Sequence, residues 1–207
     1  MGEAVMANQQ LSKEEQLIAF FVNACNDPIG RTRLMKLLYL ADYQARRYLG
    51  KPISNIRYKW HDFGPFDENL YVWLENLERQ DLIRHEEVRY DGEKVAHVYA
   101  PTETPPALDL SPDEVDVLSF VCREYSQVAL RQLLDEIVYQ TEPMLDAKTR
   151  DAKGQALKME MVDNAKRRDF TIPYAELLAR SRKLKSGQGV SHREAMRRVS
   201  AALYATA

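Results

Sequence analysis

The stretch from Arg31 to Pro65 constrains this chain more than any other. It opens as a helix with almost no polar face. Leu34, Met35, Leu37, Leu38, Tyr39, Leu40, Ala41, Tyr43, Ala45 and Tyr48 surround two central charges, Lys36 and Asp42. A surface helix shows one apolar stripe, whereas a helix apolar nearly all round lies inside the fold. The spacing therefore predicts a buried axle over about residues 31–49, with Leu37, Leu38 and Tyr39 as structural residues. Gly50-Lys51-Pro52 ends it. An extended piece from Ile53 to Trp60 leads into a sharp Phe63-Gly64-Pro65 turn, where Gly64 and Pro65 are structural. Asp42 and Arg46 stand four apart, in the order that supports a helix when the pair is exposed.

The flanking segments read as further short elements. Ser12-Lys13-Glu14-Glu15 is a capping box, followed at helical spacing by Leu17, Phe20, Phe21, Ala24 and Cys25. Pro28 ends that helix, because it lacks the donor needed to continue. A third helix starts after Pro65, with Asp67 as its cap and Leu70, Tyr71, Trp73, Leu74 and Leu77 as its core face; Tyr71 is counted as structural. Residues 82–100 read as a hairpin around Asp91-Gly92, which suits a two-residue type I′ turn. Helix, helix, short strand, helix, hairpin is the order of a winged helix. A Thr/Pro linker then leads to a second capping box, Ser111-Pro112-Asp113-Glu114, with Pro where its missing amide costs nothing. Leu130, Leu133, Leu134, Ile137 and Val138 mark the next helix, and Pro143 restarts the chain after it. Ala156, Met159, Met161 and Val162 suggest a moderate helix. Ser191 caps a last basic helix with Ala195, Met196, Val199, Ala202 and Leu203 as its apolar positions.

The expected fold is mainly α with a small β-hairpin. A winged-helix-like core over about residues 11–100 is followed by a helical part over about 109–150. Together these form one domain, residues 1–150, and residues 151–207 form a basic helical extension. The 207 residues are 45% apolar, and a chain of this length buries about 70% of its unfolded surface without disulfide or metal. The formal net charge of −2 is unevenly spread. Residues 151–207 carry twelve Lys/Arg against six Asp/Glu, which leaves residues 1–150 with −8. Cys25 and Cys122 sit in apolar runs, as small buried thiols of a reducing cytosol do. There is no 18-residue apolar run and no signal-peptide pattern, so the expectation is a cytoplasmic protein with no membrane partner.

Sites for chemistry are sparse. The eight glycines form no phosphate loop, and the four histidines lack partners at ligand spacing. His85 and His97 face each other across the hairpin, but two imidazoles without a third ligand do not make a metal site. No Ser or Cys has a base beside it. His61-Asp62 is the best catalytic-looking pair, and packing by Trp60 and Phe63 with a turn at Asp62 accounts for it better. The reading is no enzyme, no metal and no cofactor. Charge also tests the DNA reading that a winged helix invites. The helix in the recognition position, residues 67–80, carries Asp67, Glu68, Glu75 and Glu78 against Arg79 alone, and DNA would repel it.

The run Arg33-Leu34-Met35-Lys36-Leu37-Leu38-Tyr39-Leu40-Ala41-Asp42, then Gly50-Lys51-Pro52-Ile53, Trp60-His61-Asp62-Phe63-Gly64-Pro65 and Leu70-Tyr71, resembles the Panacea domain, the SocA-like family of bacterial and phage antitoxins. The resemblance covers about residues 13–150. Where that family often has a Ser-His and a Trp after an acidic helix, this chain has Gln140-Thr141-Glu142-Pro143-Met144, without the His and Trp. The resemblance implies a non-catalytic, mostly helical protein encoded beside a toxin and neutralising it by direct contact. The expected contact residues are Trp60, Asp62, Phe63 and Phe66 around the turn, since aromatics on a rigid turn make good anchors. Met196, Val199 and Leu203 on the tail join them. Two alternatives remain: a DNA-binding regulator acting through the basic tail, although nucleic acid is not the favoured partner, and a phage-related adaptor binding a host protein.

Overall fold

Two helices, not one, run through the interior of the computed structural model, which describes residues 10–25, 27–90, 94–103 and 105–162. Helix α1 (Lys13–Ala24) is buried from Glu14 to its end, and α2 (Arg31–Leu49) from Leu34 to Ala45. The full burial of α1 is written in Leu17-Ile18-Ala19-Phe20-Phe21-Val22, six successive apolar residues that cover every face of a turn and a half. Its start is the expected capping box: the Ser12 side chain accepts from the Glu15 amide and Glu15 accepts from the Ser12 amide. Its acidic residues are also used. Glu14 accepts from the Asn55 amide at 2.9 Å, and Glu15 accepts from the Asn76 side chain at 2.9 Å. Gly50 closes α2 in the left-handed conformation at φ 77°, which a glycine adopts without a Cβ clash.

Around these helices lie a three-stranded antiparallel sheet, a two-stranded ribbon and further helices. The sheet has the order β1 (Ile29–Gly30), β5 (Lys94–Pro101), β4 (Ile83–Tyr90). The ribbon joins β2 (Lys59–His61) to β3 (Gly64–Phe66), with Trp60 opposite Pro65. Helix α3 (Leu70–Arg79) follows the ribbon, and α4 (Pro112–Tyr125) packs on α1 and α2. The second capping box stands at its start, on Ser111 and Glu114. Short α5 (Leu130–Gln132) continues through a π-helical turn over Leu133–Ile137 and a 3-10 turn over Val138–Gln140. Helix α6 (Glu142–Thr149) restarts with a proline in its first turn. The fold is thus mostly helical with a small antiparallel sheet, and one continuous core of side chains runs from Leu17 to Val162.

Four local expectations change. The hairpin pairs Tyr90 with Lys94, which leaves three residues between the strands instead of a two-residue turn. Asp42 does not support α2 through Arg46, because burial draws its carboxylate to the following loop. Tyr71 stands 46% exposed; on α3 only Leu70, Leu74 and Leu77 are buried. The stretch from Ala152 to Val162 is no moderate helix but a strap along the ribbon. The Trp60 amide donates to Gln155 O at 3.0 Å, Gly154 donates to Trp60 O at 2.7 Å and Leu157 donates to Tyr58 O at 2.8 Å. Only Met159–Met161 makes a helical turn there, of the 3-10 kind. Backbone pairing with an already extended ribbon outweighs the weak helical spacing of Ala156 and its neighbours. Cys25 and Cys122 are buried free thiols, with sulfurs 4.0 Å apart. The expected tail helix, with Met196, Val199 and Leu203, lies outside the described residues.

Burial of this kind makes a prediction. Leu38 is fully buried on α2, whereas Phe63 is 63% exposed. Leu38→Ala lowers the unfolding free energy in urea by about 2–5 kcal/mol. Phe63→Ala changes it by less than about 0.5 kcal/mol.

Candidate partner-binding surface

The polar side chains of α2 each hold a different part of the chain. Lys36, 2% exposed, donates from Nζ to Pro65 O at 2.6 Å. Burial lowers its ammonium pKa to about 7. Tyr39 shares a hydroxyl hydrogen bond with Thr141 at 2.6 Å, and burial raises its phenol pKa. Asp42 accepts from the amides of Ile53 and Ser54, each at 2.8 Å, from Tyr58 OH at 2.8 Å and from the Ser54 hydroxyl. Burial raises its carboxyl pKa, and these four hydrogen bonds oppose that rise. Tyr43 donates to Glu142 at 2.7 Å, and its phenol pKa is pushed up to about 12, first by burial and then by that carboxylate. Lys36 and Asp42 were visible in the sequence as charges inside an apolar helix. Their partners Ser54, Tyr58 and Pro65 O were not, because nothing in the sequence says which loop a buried charge will bind.

These tethers fix the β2–β3 turn from below. Gly64 takes φ 84°, in the left-handed region, beneath Tyr139, Leu134 and Val138. Its peptide neighbour Pro65 is the one held by Lys36. From the outside, Lys153 of the strap pairs with Asp62 at 2.6 Å, and the Tyr139 hydroxyl donates to Asp62 O at 3.5 Å. The Lys153 ammonium holds the Asp62 carboxyl below its usual range, with His61 adding to the effect. Lys148 lies over the Tyr139 ring at 4.0 Å.

A ledge of aromatic rings stands on this base. Trp60 is half-buried and packs inward on the core. Phe63 projects from the turn. Phe66 is half-buried between His61, at 5.6 Å between ring centroids, and Tyr71, at 5.8 Å. The Arg31 guanidinium covers the Tyr71 ring at 4.7 Å. Of the four residues expected at the turn, Phe63 and Asp62 are exposed, Phe66 is partly so, and Trp60 serves mainly as packing. Tyr71 and Arg31 complete the ledge. Its place directly after Leu70 suggests core for Tyr71, and one residue of rotation moves it outward.

The histidines expected to face each other do so: His85 and His97 approach to 2.9 Å and their rings stack. Burial, Arg31 and His85 lower the pKa of His97, with Glu87 opposing them. Among the described residues no group of three or more His, Cys, Asp or Glu is arranged to hold a metal ion. No helix among them is long and apolar enough to cross a membrane.

A family model described as "Antitoxin SocA-like, Panacea domain" matches residues 34–143, just over half of the chain. The chain belongs to this family of antitoxins. No curated protein and no solved structure matches it. The family points to an antitoxin role in general, with a toxin as partner, and to a non-enzymatic protein. The matched span begins on α2 and ends at the first turn of α6. It therefore contains Lys36, Tyr39, Asp42 and Tyr43 together with every side chain and backbone group that they bind.

Lys36 carries a pH signature. Its folded value is near 7 against 10.5 for a free lysine. Between these values the unfolded chain binds the extra proton, so this residue's contribution to stability rises with pH. The slope approaches about 1.4 kcal/mol per unit, and the contribution is flat below pH 7. Lys36→Met removes the titration. The unfolding free energy of the wild type minus that of the variant, measured in urea at pH 7, 8 and 9, therefore climbs with pH. A flat difference would show an ordinary ammonium at this site.

Proposed function

We propose that this protein neutralises a cognate toxin, encoded next to it, by direct protein–protein binding, and that the ledge around the β2–β3 turn is part of the contact. The observation that carries this reading is the exposure of Phe63 and Tyr71 on a base held from both sides. Large side chains on a preorganised surface lose little freedom when a partner covers them. Asp62 and Phe66 belong to the same contact, with Trp60 supporting it from beneath. We read residues 1–150 as the Panacea-like domain. Its helix order is winged-helix-like in arrangement but not in charge, since Glu68, Glu75 and Glu78 are exposed where a DNA reader carries cations. Residues 151–207 are the basic extension, which begins with the strap packed on the domain as far as Val162, and Met196, Val199 and Leu203 supply a second apolar contact. The protein acts in the cytoplasm, where its partner is made.

Expression with the product of the adjacent gene tests this. Growth arrest by that product is relieved by the wild-type chain. Phe63→Ala and Tyr71→Ala each weaken the purified complex about tenfold or more, equivalent to over about 1.4 kcal/mol, with melting temperature unchanged. Unaltered affinity in both variants removes the ledge from the interface. Failure of the wild type both to relieve arrest and to co-purify removes the antitoxin reading.

A further inference from the structure

The outward face of α3 is an acidic surface studded with apolar side chains. Leu70, Leu74 and Leu77 point to the core. The opposite side carries Glu68 just before the helix, then Val72, Glu75 and Arg79, flanked by Tyr71 and Glu78, all exposed; the Arg79 guanidinium donates to the Asn76 side chain. Glu68, Val72, Glu75 and Arg79 succeed one another at three- and four-residue steps, so they form one stripe about 15 Å long. Val72 is 54% exposed. Glu78 lies 3.8 Å from His85, and Arg31 covers one face of Tyr71. Glu68 and Glu75 have no ion-pair partner among the described residues.

A stripe of this kind fits a basic segment with apolar residues of its own, and this chain supplies one. Residues 163–207 carry ten Lys/Arg against four Asp/Glu, a formal +6 facing the −8 of the rest. Within them Arg193, Arg197 and Arg198 are interleaved with Met196, Val199 and Leu203. The described residues end at Val162, after a strap that runs beside β2. From there 45 residues follow. A segment of that length spans about 35–40 Å even at coil dimensions, enough to reach any face of the domain.

We infer that the outward face of α3 is a docking seat for this chain's own basic C-terminal segment, residues 163–207. Glu68 and Glu75 face its arginines, and Tyr71 and Val72 face its apolar residues. The seat adjoins the aromatic ledge at Tyr71. The docked segment therefore borders the surface where we place the toxin, and whatever binds Tyr71 competes with it. This contact lies within one chain and stands whether or not the toxin reading holds.

Carbodiimide cross-linking of the full-length protein at low salt, read by mass spectrometry, tests the seat. The expected products join Lys166, Lys183 or Lys185 to Glu68, Glu75 or Glu78. They fall several-fold in about 0.5 M salt, where the screening length shrinks to about 4 Å. They disappear in the double variant Glu68→Lys/Glu75→Lys, whose circular dichroism and melting temperature match the wild type because both positions are exposed. Absence of these products at low salt overturns the inference. So does an even spread of cross-links over other exposed carboxylates such as Glu124 and Glu136. Mixing isotope-labelled and unlabelled protein gives products within one chain only. Mixed products would assign the face to a second copy and overturn the intrachain seat.

Discussion

The hydrogen bonds made by buried polar groups of α2 are the constraint on which the rest of the structure depends. An ionisable side chain taken out of water without partners costs several kcal/mol. Asp42 is fully buried and meets that cost with four donors, all from residues 53–58. Lys36 meets part of it with one strong acceptor, Pro65 O, and by a lowered pKa. These bonds are not interchangeable. Asp42 needs the loop after α2 to fold back on it, and Lys36 needs the β2–β3 turn to lie over it. The apolar surface of about three helical turns, Leu34 to Ala45, would bury α2 in many orientations, since apolar contact is non-directional. The charges select one.

The same tethers divide the molecule into a held frame and a free surface. Tyr39 and Tyr43 reach Thr141 and Glu142 at the start of α6, so α2 also sets the far end of the domain. The groups in these bonds fall within the span that defines the family. The contacts that shape the outer surface do not all fall there. Arg31 on Tyr71 and Lys153 on Asp62 each bring one residue from outside that span. The matched span therefore holds the tethers of α2 and the aromatic rings of the ledge, while Arg31 and Lys153, which brace the ledge at its edges, lie outside it.

Much of this frame was legible in the sequence because it rests on period and on punctuation. The bounds of α2, both capping boxes, the hairpin strands and the restart at Pro143 follow from local chemistry. What was not legible depends on rotation or on distant pairing. Tyr71 follows the core residue Leu70 and stands three before Leu74, and only the angle of α3 decides that it faces out. Residues 152–162 have a weak helical period, but unpaired backbone groups on β2 offered hydrogen bonds that the period did not announce. The ledge was half visible. Its aromatics were read from the turn motif, whereas Arg31 and Lys153 come from segments whose neighbours in space are set by α2.

The ledge makes physical sense only in relation to that frame. Leaving a phenylalanine in water forgoes about 1.5–3 kcal/mol of burial, and Phe63 sits immediately before a Gly64-Pro65 pair that is itself buried. A floppy turn would fold such a ring back onto the protein. Here the turn is held from below at Pro65 by Lys36 and from the side at Asp62 by Lys153 and Tyr139. The backbone that would have to move is the backbone that the tethers fix. Covering Phe63 from within by moving this backbone would release Lys36 from its acceptor and leave a buried amine unpaired, which costs about 1–3 kcal/mol and offsets the gain for that ring. A partner that covers it recovers that burial with the turn already ordered, so the strength of the buried tethers is also what makes the exposed residue available for binding.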